Sequence, residues 1–199
     1  MGVAKPATQR SRLPGVGRLG LVEPSAPLNL VALGWDTDAH VELLWSLSRA
    51  PNADIALHAL VRLAEALGDE WHRLDAALIK DRSLRGRLFS VLGSSLAFGD
   101  HLVANPASWH LLEGAVTLPG PEQLRRSFAA AIAEFGVPPA GVPPAGVASK
   151  LREVYRNQLM ILAALDLAPA VEDEKVVPFA TVGAHLADLA DAALDAALQ

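Results

Sequence analysis

The chain has 199 residues, of which 51% are apolar and 20% charged, with no cysteine and a formal net charge of −5. That length allows one domain or two small ones, and half-apolar composition supplies a core and excludes a wholly disordered chain. Without cysteine there is no disulfide, thiolate nucleophile or zinc ribbon, and the acidic balance with 5% aromatics argues against a nucleic-acid binder.

The N-terminus carries Lys5, Arg10, Arg12 and Arg18 but no apolar stretch long enough for a secretory signal, and Pro6 stands where myristoylation needs Ser or Thr. The most apolar run, 159–168, is far shorter than the ~20 residues that span a bilayer, and Asp166 interrupts it. The expectation is a cytoplasmic protein with no membrane or nucleic-acid partner.

Residues 1–34 are rich in Pro, Gly and Arg and read as an extended, partly disordered arm, followed by a helical region over 35–199. Asp36 or Thr37 is placed to cap a helix carrying Val41, Leu44, Trp45 and Leu47, which Pro51 ends. Asn52 caps the next, whose Leu57, Leu60, Val61, Ala64 and Leu67 share a face, with Gly68 as its stop. Asp69 and Asp81 are placed to cap two more, the second burying Leu84, Leu88, Val91 and Leu92. A short helix is expected from Gly99-Asp100 to Pro106, and another turn from Ala107 to Leu112. Pro121 suits a helix start before Phe128 and Ile132. Residues 136–145 repeat Gly-Val-Pro-Pro-Ala twice and read as a surface loop, since each proline lacks an N–H. A long helix is expected over 148–168, and Pro178 opens a last one through Phe179, Val182, Leu186, Leu189, Ala193 and Ala197. No run alternates as a strand does, so the fold class is all-α, an irregular array of seven or eight helices.

The motifs that carry chemistry are weak. Gly15-Val16-Gly17-Arg18-Leu19-Gly20 matches G-x-G-x-x-G, but a dinucleotide site needs a preceding strand and a following helix. The arm is expected to dock through Leu19 and Leu21 instead. Asp36-Thr37-Asp38 lacks the strand edge of a metal–nucleotide site and is better read as helix capping. The six histidines, His40, His58, His72, His101, His110 and His185, show no i, i+4 pair and read as surface or half-buried. Asp188, Asp191 and Asp195 form a stripe that reads as a solvated helix face. Arg85-Gly86-Arg87 and Arg125-Arg126 are basic clusters with surface placement as the default, Ser94-Ser95 read as packing serines, and Trp35, Trp45, Trp71 and Trp109 as packing anchors.

Several segments occur in a characteristic order. Leu19-Gly20-Leu21-Val22 and Gly34-Trp35-Asp36 precede His40-Val41-Glu42-Leu43-Leu44-Trp45-Ser46-Leu47-Ser48-Arg49-Ala50-Pro51. Leu84-Arg85-Gly86-Arg87-Leu88-Phe89-Ser90-Val91-Leu92-Gly93-Ser94-Ser95 and Gly99-Asp100-His101-Leu102 follow. Leu151-Arg152, Tyr155-Arg156, Ala163-Ala164-Leu165-Asp166-Leu167-Ala168 and the run from Leu186 to Leu194 close the order. Together these resemble the N-terminal region of the bifunctional glutamine synthetase adenylyltransferase/adenylyl-removing enzymes, in their actinobacterial form.

The resemblance implies a protein several hundred residues longer with two nucleotidyltransferase domains. One removes AMP from glutamine synthetase; the other attaches it with ATP and magnesium, in response to a PII-type signalling protein. The family's Gly-Lys-x-Gly, Glu-Leu and Ser-Asp-x-Asp signature is not found in this sequence. No catalytic, cofactor-binding or metal residue is therefore carried over, and the chain alone is expected neither to transfer nor to remove AMP. Gln199 reads as an interruption before the absent catalytic domain, whose loss is expected to leave the Leu186/Leu189/Ala193 face of the last helix without a packing partner. The implied partners are glutamine synthetase, the missing catalytic domains and the PII-type protein. The alternative is a free-standing helical interaction module without catalysis.

Overall fold

The computed structural model of the chain describes residues 13–135 and 146–198; the start of the arm and the Gly-Val-Pro-Pro-Ala repeat lie outside them. Among the described residues every regular element is helical. The α-helices are α1 (Ala26–Leu33), α2 (Val41–Ser48), α3 (Ala53–Leu67), α4 (Trp71–Lys80), α5 (Arg82–Ser94), α6 (Leu96–Ala104), α7 (Pro121–Ala133), α8 (Val147–Leu167) and α9 (Phe179–Ala197), linked by short 3-10 turns.

Local chemistry accounts for most boundaries. The Asn52 side chain accepts from the Ile55 N–H at 3.0 Å, and Asp81 accepts from Leu84 N–H at 3.1 Å, so both act as the N-caps their positions predict. Pro121 opens α7, and Pro178 precedes α9. Two expected caps are not made. Thr37 leads into a 3-10 turn, Asp38–His40, and its hydroxyl meets the His40 ring rather than a backbone N–H. Asp69 falls inside another 3-10 turn, leaving Glu70 at the start of α4. The short helix expected from Gly99 begins three residues earlier, at Leu96.

The larger correction concerns the stretch expected to be extended. Residues 13–34 are folded: Val16–Leu19 forms a 3-10 turn and Ala26–Leu33 forms α1. Gly34 ends α1 in the left-handed region at φ 76°, donating to Val31 O while Trp35 N–H donates to Leu30 O. That paired closure turns the chain sharply and drops Trp35 into the core, fully buried against Phe89 and Trp71. Leu19 and Leu21 are buried, as the docking expectation had it.

Two hydrophobic clusters result. The first joins α1 to α6 with the second half of α8, and contains Leu19, Trp35, Phe89, Leu102, Met160 and Ala164 among many others. The second holds only Leu124 and Phe128 of α7 with Leu189, Ala192 and Ala196 of α9, edged by Leu151, Tyr155 and Leu159 of α8. Helix α8 thus spans both. No helix among the described residues is long and apolar enough to cross a membrane.

Candidate functional site

The densest chemistry lies where the α8–α9 connection crosses α2 and α5. Helix α5 is the central one, with every residue from Leu84 to Gly93 buried. Its small residues make this possible. A Cβ on Gly93 would stand 3.0 Å from Ala50 Cβ and 3.0 Å from Asn52 O; one on Gly86 would stand 3.0 Å from Glu172 Cβ. The Glu172 and Ala168 side chains therefore lie directly on α5, and Glu172 is brought inside at 5% exposure.

Burial alone pushes the Glu172 carboxyl up. Hydrogen bonds from Ser46 and Arg82 and the charges of Arg49 and Arg85 outweigh it, holding the group below the usual carboxylate range. Ser46 donates to Oε1. Arg82 reaches Oε2 at 3.0 Å, Arg49 approaches Oε1 at 3.2 Å, and Arg85 Nε reaches Oε1 at 3.4 Å. Arg85 also donates to Leu78 O and Ile79 O, the free carbonyls at the end of α4, where a cation is favoured. Two residues on, Arg87 donates to Leu112 O at 3.0 Å, to Gly114 O at 2.7 Å and to Glu174 at 3.2 Å. Arg49 closes the set through its Nε to Val171 O at 2.5 Å.

Arg85-Gly86-Arg87 is therefore no surface cluster. Both arginines are 5% exposed and tie α5 to α4, to the chain after the 3-10 turn Pro106–Leu112, and to the α8–α9 connection. The sequence held one signal of this: Gly86, Ser90 and Gly93 put small residues on one side of α5 in place of a polar face. The carboxylates of the network face guanidinium groups and, at Glu172, the Ser46 hydroxyl, and together these contacts fix the connection in place.

A second polar chain has a more suggestive order. Thr37 Oγ1 lies 2.8 Å from His40 Nδ1, and His40 Nε2 lies 3.4 Å from Asp75. Asp75 also accepts from Trp35 Nε1 at 2.7 Å, and His40 stacks on the Trp35 ring. The carboxylate is thus shared with the buried tryptophan, and the set pins α4 to the chain before α2.

A groove of about 370 Å³ lies elsewhere, along α3 between α1 and α6. Asp54, His58 and Arg62 recur every four residues on its floor, with Glu23, Asn29 and Leu96 on the walls. The Asp54 carboxylate accepts the backbone N–H groups of Val22 and Glu23 at 3.0 and 3.2 Å, and Arg62 pairs with Asp100 at 2.7 Å.

The remaining candidate residues fall as follows. His40, His101 and His185 are buried rather than at the surface, because aromatic stacking, Asn157 and the second cluster enclose them, while His58, His72 and His110 are exposed. Arg125 pairs with Glu122 and Asp195 on the surface. Ser94 bonds its own helix at Val91 O. All four tryptophans pack in or against the first cluster. Within the G-x-G-x-x-G stretch, Val16–Leu19 is a 3-10 turn closed by Gly20 in the left-handed region. On α9 the inward face is His185, Leu189, Ala192 and Ala196, and Leu186 faces solvent. Among the described residues no group of three or more His, Asp or Glu is arranged to hold a metal ion.

The described residues thus define an all-helical region locked by a buried ion network. Over its whole length the chain is 60% identical, across 206 residues, to the bifunctional glutamine synthetase adenylyltransferase/adenylyl-removing enzyme of Mycolicibacterium smegmatis, covering 20% of that protein. The proteins of the same name from Mycobacterium tuberculosis H37Rv and Mycobacterium leprae are 59% and 56% identical over 100% and 99% of this chain, again covering 20% of each. The chain spans about a fifth of the length of the curated relatives it matches. The resemblance carried by the ordered motifs is the one these relatives return. No protein-family profile matches the chain, and no solved structure matches it.

Proposed function

We propose that this chain is the N-terminal helical region of a glutamine synthetase adenylyltransferase/adenylyl-removing enzyme, and that it serves the regulation of glutamine synthetase in nitrogen assimilation as a support without chemistry of its own. The observation that carries this reading is identity of 56–60% along the whole chain to relatives of that name. Its partners are then the catalytic domains of the longer protein and glutamine synthetase, with a PII-type protein as the source of the nitrogen signal, all in the bacterial cytoplasm.

ATP and magnesium belong to the catalytic domains in this reading. No carboxylate cluster among the described residues suits a metal ion, so no step through either is assigned to this chain. The ion network about Glu172 supports the same role, since it stiffens a helical array.

The test uses glutamine synthetase, magnesium and ATP labelled in the α-phosphate. The purified 199-residue chain is expected to leave glutamine synthetase unlabelled. A chimera of the M. smegmatis enzyme, with this chain in place of the matched fifth, is expected to label it. Labelling by the chain alone overturns the support role, and an inactive chimera overturns the family reading.

A further inference from the structure

Helix α9 buries one side against α7 and α8, yet its opposite side is not polar. Phe179 is 91% exposed, Leu194 62%, Leu198 87%, and Leu186 is also exposed. At 100° per residue these lie on the solvent side with Gly183 and Ala190 between them, and the aspartates keep to one flank. A helix apolar on nearly every side is ordinarily enclosed on every side. An exposed apolar face bordered by a charged flank marks an interaction site. Gly183 and Ala190 are small, and a Cβ on Gly183 would meet nothing within 4 Å, so another element has room to lie close along the axis.

Charge and length say what covers it. In a symmetric antiparallel pairing of two copies, like flanks meet, and Asp191 would face Asp191 at the seam. In a parallel pairing the same carboxylates would sit over the apolar flank of the partner. Neither favours a second copy. The curated relatives carry about four-fifths of their length outside the stretch this chain matches. We propose that the solvent face of α9 is a docking surface for that remaining polypeptide, which lays an apolar element along Phe179, Leu186 and Leu194 with a lysine or arginine toward Asp191. This rests on the functional reading above.

The experiment sets the 199-residue chain beside the M. smegmatis chimera, each with and without Leu186→Glu and Leu194→Glu. Thermal unfolding and hydrogen exchange along α9 are read for all four, with adenylylation of glutamine synthetase for the chimeras. In the isolated chain Leu194→Glu meets water and leaves the unfolding midpoint unchanged, and Leu186→Glu, at a site 41% exposed, lowers it only slightly. In the chimera they bury two carboxylates, lower the midpoint and strip the α9 amides of protection. An active chimera whose midpoint and exchange ignore both substitutions overturns the docking surface and leaves the functional reading standing. An inactive chimera in which they still lower the midpoint overturns the functional reading alone. Reversible dimers of the isolated chain, dissolved by Leu194→Glu in sedimentation velocity, overturn the proposal in favour of a second copy.

Discussion

The two clusters are built on different principles. The first surrounds a central helix, α5, on every side and seals its edges with arginines whose charges are met by Glu172, Glu174 and helix-terminal carbonyls. The second rests on five buried residues between α7 and α9, with α8 as a half-buried third wall, and its outer helix turns an apolar face to water. The contrast separates two ways in which a helix is accommodated. Helix α5 is enclosed by its own chain although it carries Arg82, Arg85 and Arg87. Helix α9 is richer in apolar residues and has one side enclosed. The first cluster is then the part that stands by itself, and the second the part that depends on what is laid against it.

The largest expected effect tests that difference directly. Phe128→Ala removes the fully buried ring of the second cluster, a change that costs about 3–5 kcal/mol in a core. All four tryptophans report on the first cluster. Far-UV circular dichroism is expected to show loss of helix from α7 and α9 at a temperature where tryptophan fluorescence is still native. Coincident loss of both signals would show one cooperative unit instead.

Next in size is Glu172→Ala. It leaves Arg85 buried without its carboxylate; breaking a buried pair costs about 3–5 kcal/mol, with the low end expected because Arg49 and Arg82 reach water. The loss should appear in urea unfolding followed by tryptophan fluorescence. Glu172 also gives the first cluster an acid limit. Its folded pKa is lowered, so its stabilisation is present above the ordinary carboxylate pKa and is lost as pH falls through the lower folded value. Gly86→Ala acts on the same contact from the other side, since the new methyl must displace Glu172 Cβ, an overpacking effect of about 1–3 kcal/mol. Gly86→Ala and Glu172→Gly in one chain are expected to be non-additive, because the second change removes the Cβ and Cγ with which the first collides.

Helical class, most element boundaries and the apolar face of α3 were legible because they follow from short-range spacing and caps such as Asn52 and Asp81. The ion network was not, because Glu172 meets Ser46 across 126 residues, and nothing local distinguishes that glutamate from Asp173 beside it. Helix α1 was hidden by the Pro-rich composition around it, although Gly34-Trp35 carries its stop signal. Of the α9 face through Leu186, Leu189 and Ala193, Leu189 is buried and Leu186 exposed, for a physical reason. Leucines lie on both sides of that helix, and spacing alone does not say which side is covered.

The smallest effect separates the clusters by pH. His185 is 5% exposed on the inner face of α9, and its pKa is lowered by burial, partly offset by Asp188. A depressed histidine pKa means that the unfolded chain binds the proton more readily. The second cluster therefore loses stability as pH falls below the ordinary histidine value of about 6.5, well above the range where Glu172 titrates. Hydrogen exchange compared at neutral and mildly acidic pH is expected to show α9 amides opening more at the lower pH while those of α5 hold. In His185→Leu the side chain no longer titrates, and the difference between α9 and α5 should cease to depend on pH in this window. Equal acid sensitivity of both helices, or one that survives the substitution, would place the titrating group elsewhere and remove the pH axis from the comparison.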